Sequence, residues 1–566
     1  MFIVLHIILV YCCSCSNAIL TTDIVYTDSV PVKGIIEKTL FDQKEYYSFK
    51  GIPYAKAPIG DLRFVAPTKY FQPHPILAFE HGSICLQSGE MGPVGNENCL
   101  FLNVYTPTLT PNASLAVMFF IHGGAYLAGS GNDDIYGPDF LIEESVIVVT
   151  INYRLGVFGF MSLGDSKFSG NMGLKDQLLA LKWVRNNIRH FGGNKNLITI
   201  SGQSAGSRAV QYFTLSAATK NLFKRAIAMS GTVTDLWSRS YNSSHIDEVT
   251  KFAQQQNNSN IQSVKDVIEF VQNVDANDIL NHFPLNIDVT NAQPIHVTPP
   301  FTPVVEIENA EHPFLQQPPE AILFNPLQRS DVDMMFGTTS EESLGLLSTF
   351  FLKNKSSEAL NKYFRIPFPN RFFIPDFESA AYANASMEIR NFYLGSSSAQ
   401  INATNMLSVV NLISDVLANH EFVRSIIAQQ LRSDKQTAVY KISASTKLNY
   451  AKAKAGIASV DGASHEDDLC YVFACKIAPD IYKITKGSVE MKLLKGFTRM
   501  FANFVKYGDT GFGLGEANSS MQYVHISNDG FNVESELFSQ RVQFWNNLME
   551  KYSEMNIFSK LHPGSV

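Results

Sequence analysis

Short apolar runs alternate with amphipathic stretches along the first half of the chain. The runs 116–121 and 146–152 consist mainly of apolar residues, which is typical of strands buried on both faces of a parallel sheet. A third run covers 196–201, and before it residues 174–191 place large apolar side chains at helical spacing. This alternation predicts βαβ units and hence an α/β fold, with a large, mostly parallel central sheet and helices on both faces.

The second half of the chain is less regular. Residues 240–330 are polar and rich in proline and asparagine and predict no clear element, whereas 350–435 favour helices. Strands are predicted at 332–336 and 437–442, and helices at 406–431, 497–505 and 542–552. Because no linker divides the chain, residues 19–566 are predicted to form a single domain with helical insertions.

A Gly-x-Ser-x-Gly motif follows the strand predicted at 196–201. Its serine, Ser204, stands between that strand and a stretch, 208–215, that is compatible with a helix. A strand, a sharp turn and a helix with serine at the apex describe a nucleophile elbow, in which Gly202 and Gly206 avoid a collision across the turn. The motif alone is weak evidence, because an ordinary turn rich in glycine and serine has the same sequence.

A nucleophilic serine needs a general base and a carboxylate that orients the base. On a sheet of this kind both are expected after later strands, in the chain order Ser, Asp or Glu, His. Glu341 and Glu342 follow the strand at 332–336, and spacing alone does not distinguish them. His465 follows the strand at 437–442. The chain therefore contains a carboxylate and a histidine in the required order.

A glycine turn at 122–126 follows the strand at 116–121. Its backbone N–H groups are placed to face an alkoxide that develops at the serine. With this turn, all the parts that acyl transfer requires occur at the ends of predicted strands.

The composition narrows the classes of partner. The chain has 566 residues, of which 45% are hydrophobic and 17% charged, and its formal net charge is −7. This weakly acidic balance argues against nucleic acid or an anionic membrane surface as a partner. No histidine or cysteine cluster has the spacing of metal ligands, so no metal site is predicted. The sequence gives no indication of the oligomeric state.

The N-terminus predicts secretion. Residues 2–11 are almost wholly apolar, and small residues at Ser16 and Ala18 indicate a signal peptide, 1–18, that is cleaved after Ala18. The apolar run is too short to span a bilayer core of about 30 Å, so no transmembrane anchor is expected. Seven Asn-x-Ser/Thr sequons are candidate glycosylation sites: Asn112, Asn242, Asn257, Asn354, Asn384, Asn402 and Asn518.

Cleavage of the signal peptide leaves four cysteines. Cys85 and Cys99 flank a polar, glycine-rich loop, and in an oxidising compartment we expect them to pair. The pairing of Cys470 and Cys475 stays open, because a helix would place these two residues on different faces.

Several longer segments resemble the type-B carboxylesterases, the carboxylesterase/cholinesterase family of α/β-hydrolases. The resemblance runs from about residue 25 to about residue 550. The matching segments are Phe49–Pro58, Leu62–Phe64, Glu97–Pro107, Asn152–Gly156 and Gly170–Gln177. Since they occur in one order around the Gly-x-Ser-x-Gly motif, the resemblance is far more specific than any single motif.

The resemblance implies an α/β-hydrolase fold and a role for each candidate residue. Ser204 is implied as the nucleophile, Glu342 as the acid and His465 as the base. The backbone N–H groups of Gly124, Ala125 and Ala205 are implied as the oxyanion hole. A disulfide between Cys85 and Cys99 and buried ion pairs Arg63–Glu97 and Arg154–Asp176 are implied as well.

Three features depart from the family pattern. Gln203 replaces the glutamate that usually precedes the nucleophile, which removes a buried charge near the imidazolium and is expected to lower turnover or shift the pH profile. Ala125 stands where many members have a third glycine, but it keeps its N–H group. The loop from Cys85 to Cys99 has no tryptophan, on which cholinesterases stack the choline cation, and this argues against a cholinesterase.

The sequence therefore predicts a secreted serine hydrolase that cleaves carboxylic esters through an acyl-enzyme on Ser204. A small to medium apolar ester is the expected substrate, and no metal or organic cofactor is expected. One alternative is a catalytically weak or non-enzymatic adhesion or binding member of the family, which typically lacks a triad residue. A second alternative is a lipase active on lipid surfaces, which differs in substrate rather than in chemistry.

Overall fold

A sheet of thirteen strands forms the centre of the computed structural model. The structure describes residues 19–235, 238–240, 244–256, 261–283, 301–346, 361, 364, 379–435, 437–478, 480, 483–514 and 521–552. The strands are β1 (Thr21–Val25), β2 (Val32–Lys38), β3 (Glu45–Pro53), β4 (Ile76–Leu77), β5 (Gln87–Gly89), β6 (Gly92–Val94), β7 (Phe101–Thr106), β8 (Leu115–Ile121), β9 (Ile147–Ile151), β10 (Gly193–Gln203), β11 (Arg225–Met229), β12 (Asp333–Thr339), β13 (Thr437–Ile442), β14 (Gln522–Ser527) and β15 (Gly530–Ser535).

The described helices lie between and beyond these strands. They are α1 (Asp139–Glu143), α2 (Gly156–Phe160), α3 (Met172–Asn187), α4 (Ala205–Leu215), α5 (Ile246–Gln255), α6 (Val264–Asn273), α7 (Ala276–His282), α8 (Pro319–Leu323), α9 (Ala380–Leu394), α10 (Met406–Ser414), α11 (His420–Arg432), α12 (Tyr450–Lys454), α13 (Val489–Tyr507) and α14 (Ser539–Lys551). A π-helical turn, Asp415–Asn419, joins α10 to α11, so the helix predicted at 406–431 is present and contains one π turn in its middle.

The sheet is mostly parallel, as the sequence predicts. Its order is β1-β2-β3-β7-β9-β8-β10-β11-β12-β13-β14-β15, and β4 pairs with β2. All neighbours from β9 to β14 run parallel, whereas β1, β2, β3 and β7 form an antiparallel extension on one side and β15 on the other. Strands β5 and β6 form a separate two-stranded sheet.

The strand order reverses between β8 and β10. From β8 the chain continues to β9 on one side, and from β10 it continues to β11 on the other side. The chain therefore leaves β8 and β10 toward opposite sides, and we call the region at the carboxyl ends of these two strands the β8–β10 crevice. In open α/β sheets, ligands bind at such a crevice.

Alternate residues of β8 belong to two different cores. Val117, Phe119 and Ile121 pack in the larger apolar cluster, with residues of α3 and α4. Met118 and Phe120 pack in the second cluster, with residues of α13. Successive side chains of a strand point to opposite faces, so the continuous apolar run reflects a strand that is covered by helices on both sides.

Covalent and ionic links fix the loops around the sheet. Cys85 and Cys99 are joined by a disulfide, and a second disulfide joins Cys470 to Cys475. The second pairing is possible because the helical segment there is a short 3₁₀ turn, Leu469–Tyr471, which ends before Cys475.

Both ion pairs implied by the resemblance are present. Arg63 Nε lies 2.6 Å from Glu97 Oε1, and Arg154 Nη2 lies 2.7 Å from Asp176 Oδ1. Arg154 also donates to Asp176 through Nε and through its backbone N–H, so this fully buried carboxylate holds the loop after β9 against α3.

Three of the predicted glycosylation sites lie within the described residues. Asn112, Asn384 and Asn402 are all exposed, whereas Asn242, Asn257, Asn354 and Asn518 lie outside the described residues. The predicted signal peptide, 1–18, also lies outside them. In the part of the chain that the structure describes, no helix has the length and apolar character needed to cross a membrane.

Candidate active site

Ser204 lies at the sharp turn between β10 and α4. Its backbone has φ 58° and ψ −119°, a conformation that a residue with a side chain adopts only under strain. The turn is held in place by the Ser204 N–H, which donates to the Met229 carbonyl oxygen at 2.8 Å. The residue is 8% exposed, and its hydroxyl makes no hydrogen bond with any described residue.

The two glycines of the motif are required by close backbone contacts. A Cβ on Gly202 would overlap with the backbone of Gly206 across the turn. A Cβ on Gly206 would overlap with the carbonyl oxygen of Ile121 and lie 2.8 Å from that of His122. The elbow therefore packs directly against the end of β8.

Glu342 and His465 form a direct contact beside the elbow. Glu342 follows β12, and its Oε2 lies 2.6 Å from Nδ1 of His465. The other carboxylate oxygen, Oε1, accepts from the Thr339 N–H at 2.8 Å and from the Ser230 hydroxyl at 2.7 Å. These bonds fix the Glu342 carboxylate, and the carboxylate in turn orients the imidazole.

The charges of this pair are set by burial and by mutual contact. Burial alone would raise the pKa of Glu342, but its hydrogen bond to His465 and the charge of the imidazolium outweigh burial and lower the pKa to about 2. For His465, burial acts to lower the pKa, and the contact with Glu342 raises it above the usual value. The His465 side chain is 32% exposed, so part of the ring is open to solvent.

Glu341 points away from the histidine. Its carboxylate accepts a hydrogen bond from the Ser340 hydroxyl and lies against Gly462. Burial raises the pKa of Glu341 above its usual value. Of the two glutamates that spacing alone leaves open, the structure thus brings Glu342, and not Glu341, to His465.

Gln203 contacts the free edge of the imidazole. Its Nε2 lies 3.2 Å from Nε2 of His465. With the His465 proton on Nδ1, facing Glu342, the Nε2 lone pair accepts from this amide N–H, which is the arrangement of a neutral imidazole. The Gln203 Oε1 is buried and has no hydrogen-bond partner among the described residues. Gln203, the residue before Ser204, can therefore donate to the neutral form of His465 and carries no charge that would stabilise the imidazolium.

The glycine turn after β8 has positive φ at three successive residues, which is a strained conformation for the two that carry a Cβ. Gly124, Ala125 and Tyr126 have φ values of 104°, 56° and 63°. The carbonyl oxygen of Gly124 accepts from the N–H groups of Leu127 and Ala128, which closes the turn. Within the described residues, the N–H groups of Gly124, Ala125 and Ala205 donate no hydrogen bond, so they are available to an oxyanion.

His122 belongs to the turn itself. Its Nδ1 donates to the Gly123 carbonyl oxygen at 2.7 Å, and its ring stacks on Tyr153 at a centroid distance of 4.4 Å. Burial lowers the pKa of His122 to about 4, although the bond to Gly123 opposes this. This histidine is thus neutral at physiological pH and has a structural contact rather than an open edge.

A buried ion pair near the elbow is not predicted by the sequence analysis. Arg208, one turn along α4 from Ser204, donates from Nε to Asp235 Oδ2 at 3.2 Å. Burial raises the pKa of Asp235 to about 6, although Arg208 and Thr232 oppose the shift. The charge of Arg208 also opposes protonation of His465. The signal in the sequence is a single arginine in an otherwise uncharged helix.

The described residues contain no group of three or more His, Cys, Asp or Glu side chains that is arranged to hold a metal ion.

The fold is that of an α/β-hydrolase. Its strand order reverses between β8 and β10, and a serine elbow lies at that point. A sequence model of the carboxylesterase family matches residues 21–545. The chain therefore belongs to the carboxylesterase family, and it is a carboxylic-ester hydrolase.

Individual relatives agree with this assignment. A juvenile hormone esterase of Tribolium castaneum is 31% identical, over 94% of this chain and 95% of its own length. A carboxylic ester hydrolase of Bombus ignitus is 32% identical, over 89% of this chain and 90% of its own.

Among solved structures, the juvenile hormone esterase of Manduca sexta with covalently attached OTFP has a TM-score of 0.76 at 25% identity. That comparison covers 93% of this chain and 99% of the other. The Geobacillus stearothermophilus carboxylesterase has a TM-score of 0.70, also at 25% identity, over 93% of this chain and 100% of the other.

Proposed function

We propose that the protein hydrolyses carboxylic esters through a covalent acyl-enzyme on Ser204. The observation that carries the proposal is the placement of three groups at the β8–β10 crevice. The first is the strained serine elbow, and the second is the Glu342–His465 pair, with 2.6 Å between Oε2 and Nδ1. The third is the turn in which the N–H groups of Gly124 and Ala125 donate no hydrogen bond to any described residue. The residues of these groups come from four different loops, and together they supply a nucleophile, a base and oxyanion donors.

The chemistry follows from these groups. His465 takes the proton of the Ser204 hydroxyl at Nε2 while Ser204 Oγ attacks the ester carbonyl, and Glu342 stabilises the imidazolium. The N–H groups of Gly124, Ala125 and Ala205 bind the oxygen that becomes negative. His465 then protonates the leaving alcohol, and a water molecule, deprotonated by the same imidazole, releases the acid from Ser204.

Nε2 has to leave its contact with Gln203 before it takes this proton. In the resting geometry the Gln203 amide occupies the lone pair that the Ser204 hydroxyl needs. In enzymes without ligand, catalytic hydrogen bonds are often long or misaligned and tighten only when the substrate binds. The exchange of partners at Nε2 is therefore an early step of the reaction.

The proposal includes secretion and a substrate class. The apolar segment before Ala18, the exposed sequons at Asn112, Asn384 and Asn402 and the two disulfides all suit the secretory pathway. The substrate is proposed to be a small to medium apolar ester other than a choline ester, because the loop from Cys85 to Cys99 has no tryptophan for a choline cation.

Labelling with a fluorophosphonate probe tests the mechanism. We expect stoichiometric labelling of the wild-type protein and none of Ser204→Ala, with the labelled peptide containing residue 204. Hydrolysis of p-nitrophenyl esters graded by acyl length, and of choline esters, then defines the substrate. Absence of labelling in wild-type protein with an intact thermal transition would refute the acyl-enzyme on Ser204. Activity only on emulsified long-chain esters would favour the lipase alternative.

Replacing Gln203 with glutamate is expected to move the acid limb of the kcat/KM profile upward by about one pH unit. A carboxylate beside Nε2 would stabilise the imidazolium and raise the pKa of His465, and His465 works as a base only when it is neutral. The measurement is the pH dependence of ester hydrolysis. Gln203→Leu removes the amide without adding charge and controls for the contact, and an acid limb that stays in place in Gln203→Glu would contradict the assignment.

A further inference from the structure

The loop closed by the Cys85–Cys99 disulfide reaches the oxyanion turn through one side chain. Gln87, in β5, is only 6% exposed although it lies in a short surface hairpin. Its Nε2 donates to the Gly129 carbonyl oxygen at 3.1 Å, and its Oε1 accepts from the Gly129 N–H at 2.8 Å. The same Nε2 also donates to the Cys85 carbonyl oxygen at 2.9 Å. The amide therefore satisfies both backbone groups of one residue and anchors them to the disulfide.

Gly129 lies directly against the oxyanion turn. Its φ of 112° is open to glycine but not to residues with a side chain. A Cβ at this position would lie 2.6 Å from Nδ1 of His122 and 2.9 Å from the Gly123 carbonyl oxygen. These two atoms form the hydrogen bond at the base of the turn. The position of Gly129 thus sets the position of the bond from which the turn begins.

The turn depends on such contacts because its backbone is strained. Three successive residues with positive φ, two of which carry a Cβ, persist only where the surroundings determine their conformation. Hydrogen bonds from Tyr153 to the His122 carbonyl oxygen, and from Gly156 to that of Tyr126, hold the turn from the side of β9. Gln87 provides a further contact to the turn, through Gly129.

We propose that Gln87 is a positioning residue for the oxyanion hole, which it aligns by holding Gly129 against His122 and Gly123. The proposal rests on the proposed function, because it assumes that the N–H groups of the turn bind the oxyanion. Gln87 itself touches neither substrate nor reacting atoms. Through its hydrogen bonds, Gln87 links the disulfide-closed loop to the turn whose N–H groups would stabilise the transition state.

Gln87→Met tests the proposal, since methionine has a similar length and no hydrogen-bonding amide. We expect kcat to fall by about 10- to 100-fold, less than the loss of a whole oxyanion donor, with KM changed by less than about twofold. The inhibition constant of a trifluoromethyl ketone, which forms a tetrahedral adduct, should weaken by the same factor as kcat/KM. This parallel loss is not expected of a residue that only supports stability.

Gln429→Met is the matched control. Gln429 is also a buried glutamine, in α11, and its amide bonds to Ser330 away from the crevice. We expect this variant to stay folded and to keep kcat within about twofold of wild type, because its amide makes a single hydrogen bond, to Ser330. Equal losses of kcat in the two variants, or an unchanged kcat in folded Gln87→Met, would overturn the proposal.

A double-mutant cycle links the effect to the disulfide. In a Cys85→Ser, Cys99→Ser background, Gln87→Met should lower kcat by less than about threefold, because the loop is already released. If Gln87→Met lowers kcat by the same factor with and without the disulfide, Gln87 acts independently of the disulfide, which would contradict the proposed link. In every variant we expect the fluorophosphonate probe to label Ser204 to completion. The two proposals can therefore fail separately, because the proposed function fails only if wild-type Ser204 is not labelled.

Discussion

Replacing Glu342 with glutamine is expected to lower kcat by about 10³- to 10⁴-fold while the protein stays folded. The carboxylate accepts the Nδ1 proton of His465 at 2.6 Å, which holds the imidazole with its lone pair on Nε2. An amide can instead donate to Nδ1, which favours the opposite tautomer with the proton on Nε2, where it cannot accept from serine. The amide also lacks the charge that stabilises the imidazolium in the transition state.

Steady-state hydrolysis of a p-nitrophenyl ester measures this effect, with Glu341→Gln as the matched control. Glu341 has the same chemistry one residue earlier in the chain, but it bonds to Ser340 and does not touch His465. We expect Glu341→Gln to keep kcat within about threefold. A kcat loss in Glu341→Gln as large as that in Glu342→Gln, or none in Glu342→Gln, would contradict the assignment of the carboxylate.

The low pKa of Glu342 also fixes a pH window. Its folded-state pKa of about 2 lies below the usual value near 4.5, so the ionised form is stabilised by folding. This stability is fully present above the usual pKa and is lost as pH falls toward 2. Over the range in which an esterase works, Glu342 stays charged, and the acid limb of activity is expected to report His465 instead.

The parallel part of the sheet is readable from sequence because its strands are buried on both faces. The predictions at 116–121, 332–336 and 437–442 coincide closely with β8, β12 and β13. The antiparallel strands β1, β2 and β3 are not predicted, since their residues are only partly buried and their pattern mixes polar and apolar positions. Their pairing depends on tertiary contacts that no local pattern encodes.

The sequence predicts where the candidate site residues lie, because they follow the ends of predicted strands, but it does not predict which side chains are in contact. Ser204 and His465 can be placed at the same edge of the sheet because both follow parallel strands. The choice of Glu342 over Glu341 needs the family register or the structure, since both follow β12. The contact between Gln203 and His465 joins residues 262 positions apart and depends on side-chain direction at the end of β10. Sequence spacing contains no information about that direction.

No sequence motif indicates the hydrogen bonds of Gln87 to Gly129 or the ion pair of Arg208 with Asp235. Gln87 lies in a polar loop whose only visible features are its two cysteines and its glycines. The role proposed for it depends on the contact of Gly129 with His122, which only the folded structure shows. Residues that act by supporting strained backbone have no signature of their own, because the strain itself is a property of the folded chain.

Gly206→Ala is expected to destabilise the protein by more than about 3 kcal/mol and to abolish measurable ester hydrolysis. Gly206 lies in the first turn of α4, where alanine would ordinarily stabilise a helix by about 1 kcal/mol. Here the added Cβ would overlap with the Ile121 carbonyl oxygen, which is backbone at the end of β8 and cannot rotate away. Relief requires that the elbow and the oxyanion turn move apart. Denaturant unfolding and steady-state hydrolysis measure the two effects.

Gly496→Ala separates this steric effect from helix propensity. Gly496 also lies within a helix, α13, but the atoms nearest to an added Cβ belong to the partly buried ring of Phe531, which stacks on Phe512. Because a side chain can shift where a backbone carbonyl cannot, this variant should lose less stability than Gly206→Ala and keep its activity. A Gly206→Ala protein with wild-type stability and kcat would mean that elbow and oxyanion turn are not in rigid contact. The strain at Ser204 and at Gly124–Tyr126 would then have to be maintained by each loop separately, and the tight junction of β8 and β10 would not explain why both loops keep their geometry.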